Sequence, residues 1–443
     1  MADRYPRRSS PSPQPFPARG EGVRSSRRSI YLNLKSAKKY ADMNFIDLIA
    51  TPFRYRPWRP RHAKLIAADL SHPAYEPIKD HDTHLRATLA WLCLAQDVRR
   101  DRPDAGGVAA GWSFEDGWLP SYPETTGYII ETFIAAADYL ADDGYRQRAN
   151  QMLDWELGLQ AKDGSFPGHF GESGSHPVIF NQGQIMHGLI AGYVHLRRDD
   201  CLNAAVRAAN WLAEHQDLDG CYRTFEHHGV PHVYNTRAVW ALASVGALVN
   251  DRRFIAAAAK NLDWALTQQT ASGWFATNAF VPSRQPFTHT IAYAIRGLLE
   301  SGVILSREPY LASAKRAALA LLNCQRSDGW LAGTYADEWR PGATYACVTG
   351  VAQMALCWLR LHQIERDDRF LDAAHKAIAY VKRTQRLDTP DSIIRGAIPG
   401  SSPIWGDYSR FEFPNWAAKF FADALLMDLT ETAIPVVAAR VTP

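Results

Sequence analysis

Two kinds of helical segment alternate along most of this chain, and they differ in how hydrophobic and polar positions are arranged. The first kind carries an apolar stripe and a charged opposite face, as in YRQRANQMLDWELGLQ (145–160) and RFIAAAAKNLDWALTQQ (253–269). The second kind has few charges on any face, as in TRAVWALASVGALV (236–249). Helices with one apolar stripe lie at a protein surface, and helices that are apolar nearly all round are buried. The pattern therefore predicts pairs of one outer and one inner helix.

Six such pairs follow one another along the chain. Outer helices are predicted near 83–96, 143–160, 200–216, 252–269, 309–325 and 367–385. Their inner partners are predicted near 126–141, 182–197, 235–249, 289–303, 345–361 and 415–428. Two concentric rings of six helices close without a free edge. We therefore predict an all-α fold, an (α/α)6 toroid or six-hairpin barrel, with residues 83–430 as a single domain.

A glutamine motif repeats with the same period as the helices. In five units the predicted outer helix ends in Gln, which is followed three residues later by Asp or Ser and usually then by Gly. The five glutamines are Gln160, Gln216, Gln269, Gln325 and Gln385, at spacings of 56, 53, 56 and 60 residues. Gln96 ends an equivalent helix, and its Asp-Gly pair is expected at Asp116-Gly117. Such a period is typical of repeat architectures.

The connections between the predicted helices have two lengths. Turns from an inner helix to the next outer helix are short, whereas loops from an outer to an inner helix span roughly 15 to 30 residues rich in Gly, Pro and aromatics. All six long loops must then emerge at one end, where the inner helices begin. Loops on a rigid scaffold commonly carry function, and helix N-termini favour anionic or highly polar ligands. Because many of the 14 Trp, 18 Tyr and 18 Phe fall in these loops, we predict one open, aromatic-lined cleft.

Composition narrows the class of protein. The net charge is only +3 over 443 residues, and much of the basic excess lies in the first forty, so no nucleic-acid partner is expected. Residues 1–42, basic and rich in Pro and Ser, are predicted to be disordered, residues 43–82 to form an extended or irregular lead-in, and residues 431–443 a C-terminal tail. The sequence has no apolar run long enough for a transmembrane helix. Six cysteines without paired spacing and the lack of a secretory signal favour a cytoplasmic location. No phosphate loop, dinucleotide fingerprint or metal-ligand spacing occurs, so no cofactor and no metal are predicted.

Polar residues that differ from unit to unit stand where the long loops meet the inner helices. The junctions are SYPETTGY (121–128), FNQGQ (180–184), YNTR (234–237), FTHT (287–290), ATY (343–345) and PNWAAK (414–419). Asn181, Asn235 and Asn415 stand where N-caps are expected, and helix capping alone would explain them. Thr288 or Thr290 is a further candidate cap.

Other junction residues are not explained by helix capping. These residues are Tyr122, Arg237, His289 and Lys419, all near the start of inner helices. A single histidine on a helix is more often a packing residue than a functional one, so both interpretations stay open for His289.

Two catalytic interpretations fit these residues. In the first, Asn235, Arg237 and His289 act with Tyr122, Tyr345 or Tyr408 on a uronic acid. Proton abstraction beside a carboxylate requires neutralisation of that carboxylate by amide and guanidinium donors, and a histidine or tyrosine then serves as base. The result would be β-elimination or epimerisation.

In the second interpretation, two carboxyl groups hydrolyse a glycosidic bond. The candidates in cleft-side segments are Asp116, Glu124, Glu172, Glu226, Asp337, Glu338, Asp407 and Glu412. Glu124 is the most suggestive because it begins an inner helix, where a carboxylate would also interact favourably with the helix dipole.

Taken over both interpretations, we predict catalytic roles for Glu124, His289, Arg237, Asn235 and Tyr408. The predicted substrate-binding residues are Tyr122, Trp118, Gln182, Gln184, Tyr234, Tyr345, Trp405, Arg410, Asn415 and Lys419.

The repeated Gln-x-x-Asp-Gly units resemble the repeats of the squalene cyclase and prenyltransferase toroids. The segments GWLPSYPETTGYII, FNQGQIMHGL, THTIAYAIRGLLESG and GAIPGSSPIWGDYSRFEFPNWAAKFFADALL look more like a group of bacterial proteins found with exopolysaccharide biosynthesis genes. This resemblance covers roughly residues 80 to 430. It implies a role in exopolysaccharide production.

The chain departs from the cyclase and prenyltransferase patterns at their reactive groups. Class II terpene cyclases protonate their substrate with an Asp-x-Asp-Asp motif, and Asp217-Leu218-Asp219-Gly220 falls short of it. The zinc ligands of protein prenyltransferases have no clear counterparts either. In architecture the chain is similar to six-hairpin carbohydrate enzymes, the unsaturated glucuronyl hydrolases, sugar epimerases and toroid domains of polysaccharide lyases. We therefore expect an enzyme acting on an acidic polysaccharide or oligosaccharide, or else a non-catalytic glycan-binding or assembly protein of the same pathway.

Overall fold

The computed structural model describes residues 53–70, 78–170 and 175–431. The predicted disordered segment 1–42, most of the tail 431–443 and the candidate carboxyl Glu172 lie outside these residues. All helices and strands below belong to the described part of the chain.

Twelve helices alternate between an outer and an inner position, as the hydrophobic pattern predicts. The outer helices are α2 (His81–Asp97), α4 (Asp143–Leu159), α6 (Asp199–Glu214), α8 (Arg252–Thr267), α10 (Glu308–Cys324) and α12 (Asp368–Thr384). The inner helices are α3 (Pro123–Leu140), α5 (Ile179–Leu196), α7 (Thr236–Val249), α9 (Thr288–Ile304), α11 (Val348–Glu365) and α13 (Asn415–Thr430). The predicted (α/α)6 toroid is confirmed.

The inner helices close into a ring because each packs against the next and α13 returns to α3. Every inner helix also packs against the outer helix that follows it across a short turn, and α13 packs against α2. The inner helices are buried nearly all round, whereas the outer helices bury only one stripe. No helix in the described ranges is long and apolar enough to cross a membrane.

The repeated glutamines are the joints of the outer ring. The amide nitrogen of Gln216 donates to the carbonyl oxygen of Gly220 at 3.2 Å and to that of Ala257, on the next outer helix, at 2.8 Å. The same bridge to the next outer helix is made by Gln96, Gln160, Gln269 and Gln325. Gln385 closes the ring, because its side chain bonds His84 and Thr88 of α2. The motif is therefore structural.

A glycine with positive φ completes each joint. Gly220 has a φ of +87°, and a Cβ at this position would lie 2.2 Å from the carbonyl oxygen of Lys260, so only glycine fits. In the first unit this place belongs to Gly106, whose carbonyl accepts from Gln96, and not to Gly117 as predicted. Gly117 instead begins strand β2, after the turn of a short hairpin. Ten residues separate Gln96 from Gly106 in this unit.

Short strands join the long loops to one another. Strands β1 (Gly111–Ser113), β2 (Gly117–Trp118) and β5 (Glu412–Pro414) form an antiparallel sheet from the first and last loops. Strands β3 (Ala346–Cys347) and β4 (Ser401–Ser402) pair the fifth loop with the sixth.

The segment before the toroid contains a helix, α1 (Pro60–Leu70), where an extended or irregular lead-in over 43–82 is predicted. It begins with proline at its first turn, and His62 is buried against Phe114 with their ring centroids 4.1 Å apart. Packing against the first loop therefore stabilises a helix whose local signal is weak.

Candidate functional site

All six long loops meet at the end of the toroid where the inner helices begin, as the connection lengths predict. Backbone hydrogen bonds link neighbouring loops around this mouth, for example from Val233 to Thr277 at 2.8 Å and from Thr288 to Gly333 at 3.0 Å. The last loop returns to the first through a bond from Asn415 to Ala110 at 2.9 Å. The loops therefore form a continuous collar that positions the first turns of the inner helices.

The carboxyl group of Glu124 lies in the first turn of α3 and is nearly buried, with 8% of the residue exposed. The Tyr122 hydroxyl donates to Glu124 Oε2 at 2.7 Å. Burial raises the pKa of Glu124 to about 7, although the hydrogen bond from Tyr122 and the charge of Arg237 both lower it. Glu124 therefore exists in both protonation states at neutral pH.

Arg237, the second residue of α7, carries a buried positive charge. Its Nε donates to Gln184 Oε1 at 2.7 Å, and the guanidinium lies over the rings of Trp240, Tyr293 and Phe420 at 5.2 to 5.5 Å from their centroids. Gln184, a predicted substrate-binding residue, is thus positioned to orient Arg237.

His289 lies in the first turn of α9, next to α7 in the inner ring. Its Nδ1 is 3.3 Å from Gln353 Oε1, and its ring lies 4.5 Å from that of Tyr293 and 5.0 Å from that of Tyr408. Burial lowers the pKa of His289 to about 3, so the imidazole is neutral. Tyr408 in turn accepts a hydrogen bond from Trp416 Nε1 at 2.7 Å.

Asn235 pairs with a second carboxyl group. Its amide nitrogen donates to Glu226 Oε1, and both residues are buried. Burial raises the pKa of Glu226 well above its usual range. Beside them Tyr234 stacks on His232, with ring centroids 4.4 Å apart.

The capping explanation is wrong for the three asparagines. Asn235 occupies the N-cap position but makes no capping hydrogen bond, and its side chain binds Glu226 instead. Asn415 Nδ2 donates to the carbonyl of Ala109 and to Thr125 Oγ1, both at 2.9 Å. Asn181 lies inside α5, with its buried amide close to the Tyr122 hydroxyl. The candidate caps Thr288 and Thr290 donate to carbonyl oxygens and likewise do not cap.

Aromatic rings connect these groups around the mouth, but they fill it instead of lining an open cleft. Phe180 contacts both Tyr234 and Tyr293, with ring centroids 5.1 and 4.8 Å away. Phe280 lies between Tyr234 and His289. Tyr293 and Tyr408 are only 3% and 4% exposed. The prediction of an open cleft is wrong because side chains of the long loops pack over the inner-helix termini.

Three predicted substrate-binding residues make structural contacts within the toroid. Trp118 lies on β2 and packs against Trp91 of the outer ring, with ring centroids 5.7 Å apart, so it is outside the mouth. Gln182 makes two 2.8 Å hydrogen bonds to the backbone of Phe166. Asn415 ties the last inner helix to the first loop, as described above.

Three others lie along the fifth and sixth loops. Arg410 and Arg284 both pair with Asp407, at 2.9 and 3.0 Å. Tyr345 is half-buried near these charges. Trp405 is half-buried against the core.

Lys419 lies deeper than predicted, within the inner ring. Its Nζ donates to Asp423 and lies 3.8 Å from Glu131 Oε2. Burial raises the pKa of Glu131 to about 7. Sequence reasoning missed Glu131, although it follows Glu124 by seven residues and so shares its face of α3.

The described residues contain no group of three or more His, Cys, Asp or Glu side chains arranged to hold a metal ion. The chemistry that this mouth can perform with its own groups is proton transfer by Glu124 beside a guanidinium.

No protein-family model and no curated protein matches the sequence. Solved structures define the class of fold, the six-hairpin toroid of carbohydrate-active enzymes. Unsaturated glucuronyl hydrolase from Bacillus sp. GL1 is similar with a TM-score of 0.62 at 15% identity, over 80% of this chain and 98% of that chain. Cellobiose 2-epimerase from Bacillus thermoamylovorans B4167 gives 0.61 at 13% identity, over 84% and 100%. A GH76 alpha-mannanase from Bacteroides thetaiotaomicron gives 0.59 at 13%, over 80% and 97%. At these identities the likeness shows a shared fold.

Proposed function

We propose that this chain is a carbohydrate-active enzyme that cleaves a glycosidic bond in an acidic oligosaccharide or polysaccharide, with Glu124 as its acid/base group. The observation that carries this proposal is the nearly buried Glu124 carboxyl group with a pKa raised to about 7. General acid/base catalysis is most efficient when the pKa of the group lies near the working pH. The fold neighbours named above support a sugar substrate.

Hydrolysis is favoured over proton abstraction by the state of the other candidate groups. Burial lowers the pKa of His289 to about 3 and raises that of Tyr122 well above its usual range, so both would be poor bases at neutral pH. Glu226, protonated because of its raised pKa, is the second carboxyl group that we assign to the reaction. A protonated and an ionisable carboxyl group are the pair that glycoside hydrolysis requires.

An acidic substrate is supported by Arg237. Its buried guanidinium has no ion pair among the described residues, and six inner-helix N-termini add partial positive charge at the same end. The resemblance to proteins from exopolysaccharide gene clusters suggests an acidic exopolysaccharide, or a fragment of one, as the substrate.

The test is to incubate the chain with acidic polysaccharides and their oligosaccharides and to assay three products. New reducing ends without new unsaturation are expected. Ultraviolet absorbance from unsaturated uronates would instead indicate elimination, and deuterium incorporation without cleavage would indicate epimerisation. Binding with none of the three would contradict an enzyme and favour the glycan-binding alternative.

The Glu124→Gln variant assigns the role. It keeps the shape of the side chain and a hydrogen-bond acceptor for Tyr122 but cannot transfer a proton, so kcat should fall by roughly 100-fold or more. The matched control is Glu338→Gln, an exposed glutamate in another long loop, which should retain full activity. Full activity in Glu124→Gln would refute the assignment.

A further inference from the structure

A small, partly open cavity lies within the inner ring. Its walls come from α7, α9, α11 and α13, and its polar lining is formed by Arg237, Arg296, Gln353, Lys419 and Asp423. The cavity volume is about 10 Å³, which is room for one water molecule or one monatomic ion.

The three cations that line this cavity differ in how they are paired. Arg296 has Glu300 at 2.8 Å, and Lys419 has Asp423 as its partner. Arg237 has neither. Among the described residues no carboxylate oxygen lies within 4.0 Å of its guanidinium, and its side chain donates a single hydrogen bond, from Nε to Gln184. Both terminal amino nitrogens of Arg237 are therefore available to an anion.

An unpaired guanidinium is costly in this position. Only 3% of Arg237 is exposed, and burial of a charge without a counter-ion is strongly unfavourable. The three aromatic faces around the guanidinium offset part of this cost. The rest of the cost of burying the Arg237 charge would be offset by a bound anion.

A second unsatisfied donor lies in the same lining. Gln353 is 4% exposed, and its Nε2 has no hydrogen-bond partner, while its Oε1 faces His289 Nδ1. Arg237 and Gln353 thus bring hydrogen-bond donors to one cavity from two different helices. Buried polar groups in proteins almost always have partners, so an occupant that accepts hydrogen bonds would complete this site.

We propose that this cavity binds one monovalent inorganic anion, such as chloride, held by Arg237 and Gln353. The volume is too small for a sugar ring. A water molecule would satisfy the amide but would leave the guanidinium charge uncompensated. The anion would use the same Arg237 guanidinium that supports an acidic substrate under the proposed function, so its binding is measured without any sugar.

The first test is thermal unfolding in sodium bromide and in sodium isethionate at equal sodium concentration, because the isethionate anion is too large for the cavity. A ligand that binds only the folded state raises its stability, so saturating bromide should raise the unfolding midpoint by about 2 °C or more relative to isethionate. Arg237→Met should lose this bromide-specific shift, and Gln353→Leu should reduce it. The control is Arg146→Met on the surface of α4, which should keep the full shift.

Bromide anomalous diffraction from the unmodified protein decides the matter even if Arg237→Met does not fold. The expected result is one anomalous peak within hydrogen-bonding distance of both the Arg237 guanidinium and the Gln353 amide. Equal stabilisation by bromide and isethionate, together with no anomalous peak in the cavity, would overturn the proposal. Neither result depends on whether Glu124 cleaves a sugar.

Discussion

Each long loop of the toroid begins at a glutamine and ends at the first turn of an inner helix. The residue at the first boundary is the same in all six units, whereas the residue at the second boundary varies. The glutamine makes the same bridge to the next outer helix in each of the six units. The inner-helix turns instead carry Glu124, Asn181, Arg237, His289, Cys347 and Asn415. A contact that recurs around a ring selects the same residue each time, whereas a single central site contacts most units through different groups.

The largest stability effect that would test this contrast is expected at a joint glycine. Gly220→Ala places a Cβ 2.2 Å from the Lys260 carbonyl oxygen at a φ of +87°, so the free energy of unfolding should fall by about 3 kcal/mol or more. Urea denaturation measures the loss. The control is Gly158→Ala in α4, where a Cβ meets nothing within 4 Å and helix propensity should add about 0.5 to 1 kcal/mol. Equal stability of the two variants would show that the joints do not hold the ring.

A smaller effect, present only at higher pH, is expected at the mouth. Folding raises the pKa of Glu124 from its usual value near 4.5 to about 7, so the folded state holds this proton more tightly than the unfolded state. The wild type should therefore lose stability as pH rises through this window, by about 3 kcal/mol in all. Glu124→Gln removes the titration and should become more stable than the wild type between pH 5 and pH 8. A stability difference that is the same at both pH values contradicts the raised pKa.

The smallest effect is expected at a joint glutamine. Gln216→Leu removes the amide that donates to the carbonyl groups of Gly220 and Ala257, which should cost about 1 to 3 kcal/mol, although Asn261 still donates to Gly220. Because the Gln216 amide carries no charge at any of these pH values, the loss should be equal at pH 5 and pH 8, in contrast to Glu124→Gln. Gln147→Leu, exposed on α4, is the matched control and should be close to neutral.

The toroid could be predicted from the sequence because its signal is periodic. Each predicted helix overlaps an observed one, and the ends differ by no more than about four residues, within the usual uncertainty of helix boundaries. The exceptions are local. Helix α1 depends on packing against the first loop, and the Gly106 joint lies ten residues after Gln96, whereas four residues separate Gln160, Gln216 and Gln269 from their glycines.

For the candidate site, the sequence could predict the location but not the role of each residue. The rule that loop ends face the mouth led to Glu124, Arg237 and His289, but it could not distinguish Gln182, which hydrogen-bonds the backbone of Phe166, from a ligand-binding amide. Groups deeper in the inner helices, such as Gln353, carry no signal in a single sequence. Their partners come from helices more than fifty residues away.

The role of Glu124 as the acid/base group can be tested by measuring its protonation state. Infrared difference spectra of the wild type minus Glu124→Gln isolate the carbonyl stretch of this one carboxyl group, and following it from pH 4 to pH 9 gives its pKa. A midpoint near 7 is expected. A midpoint near the usual value of 4.5 would contradict the assignment of Glu124 as an acid/base group whose pKa lies near neutral pH.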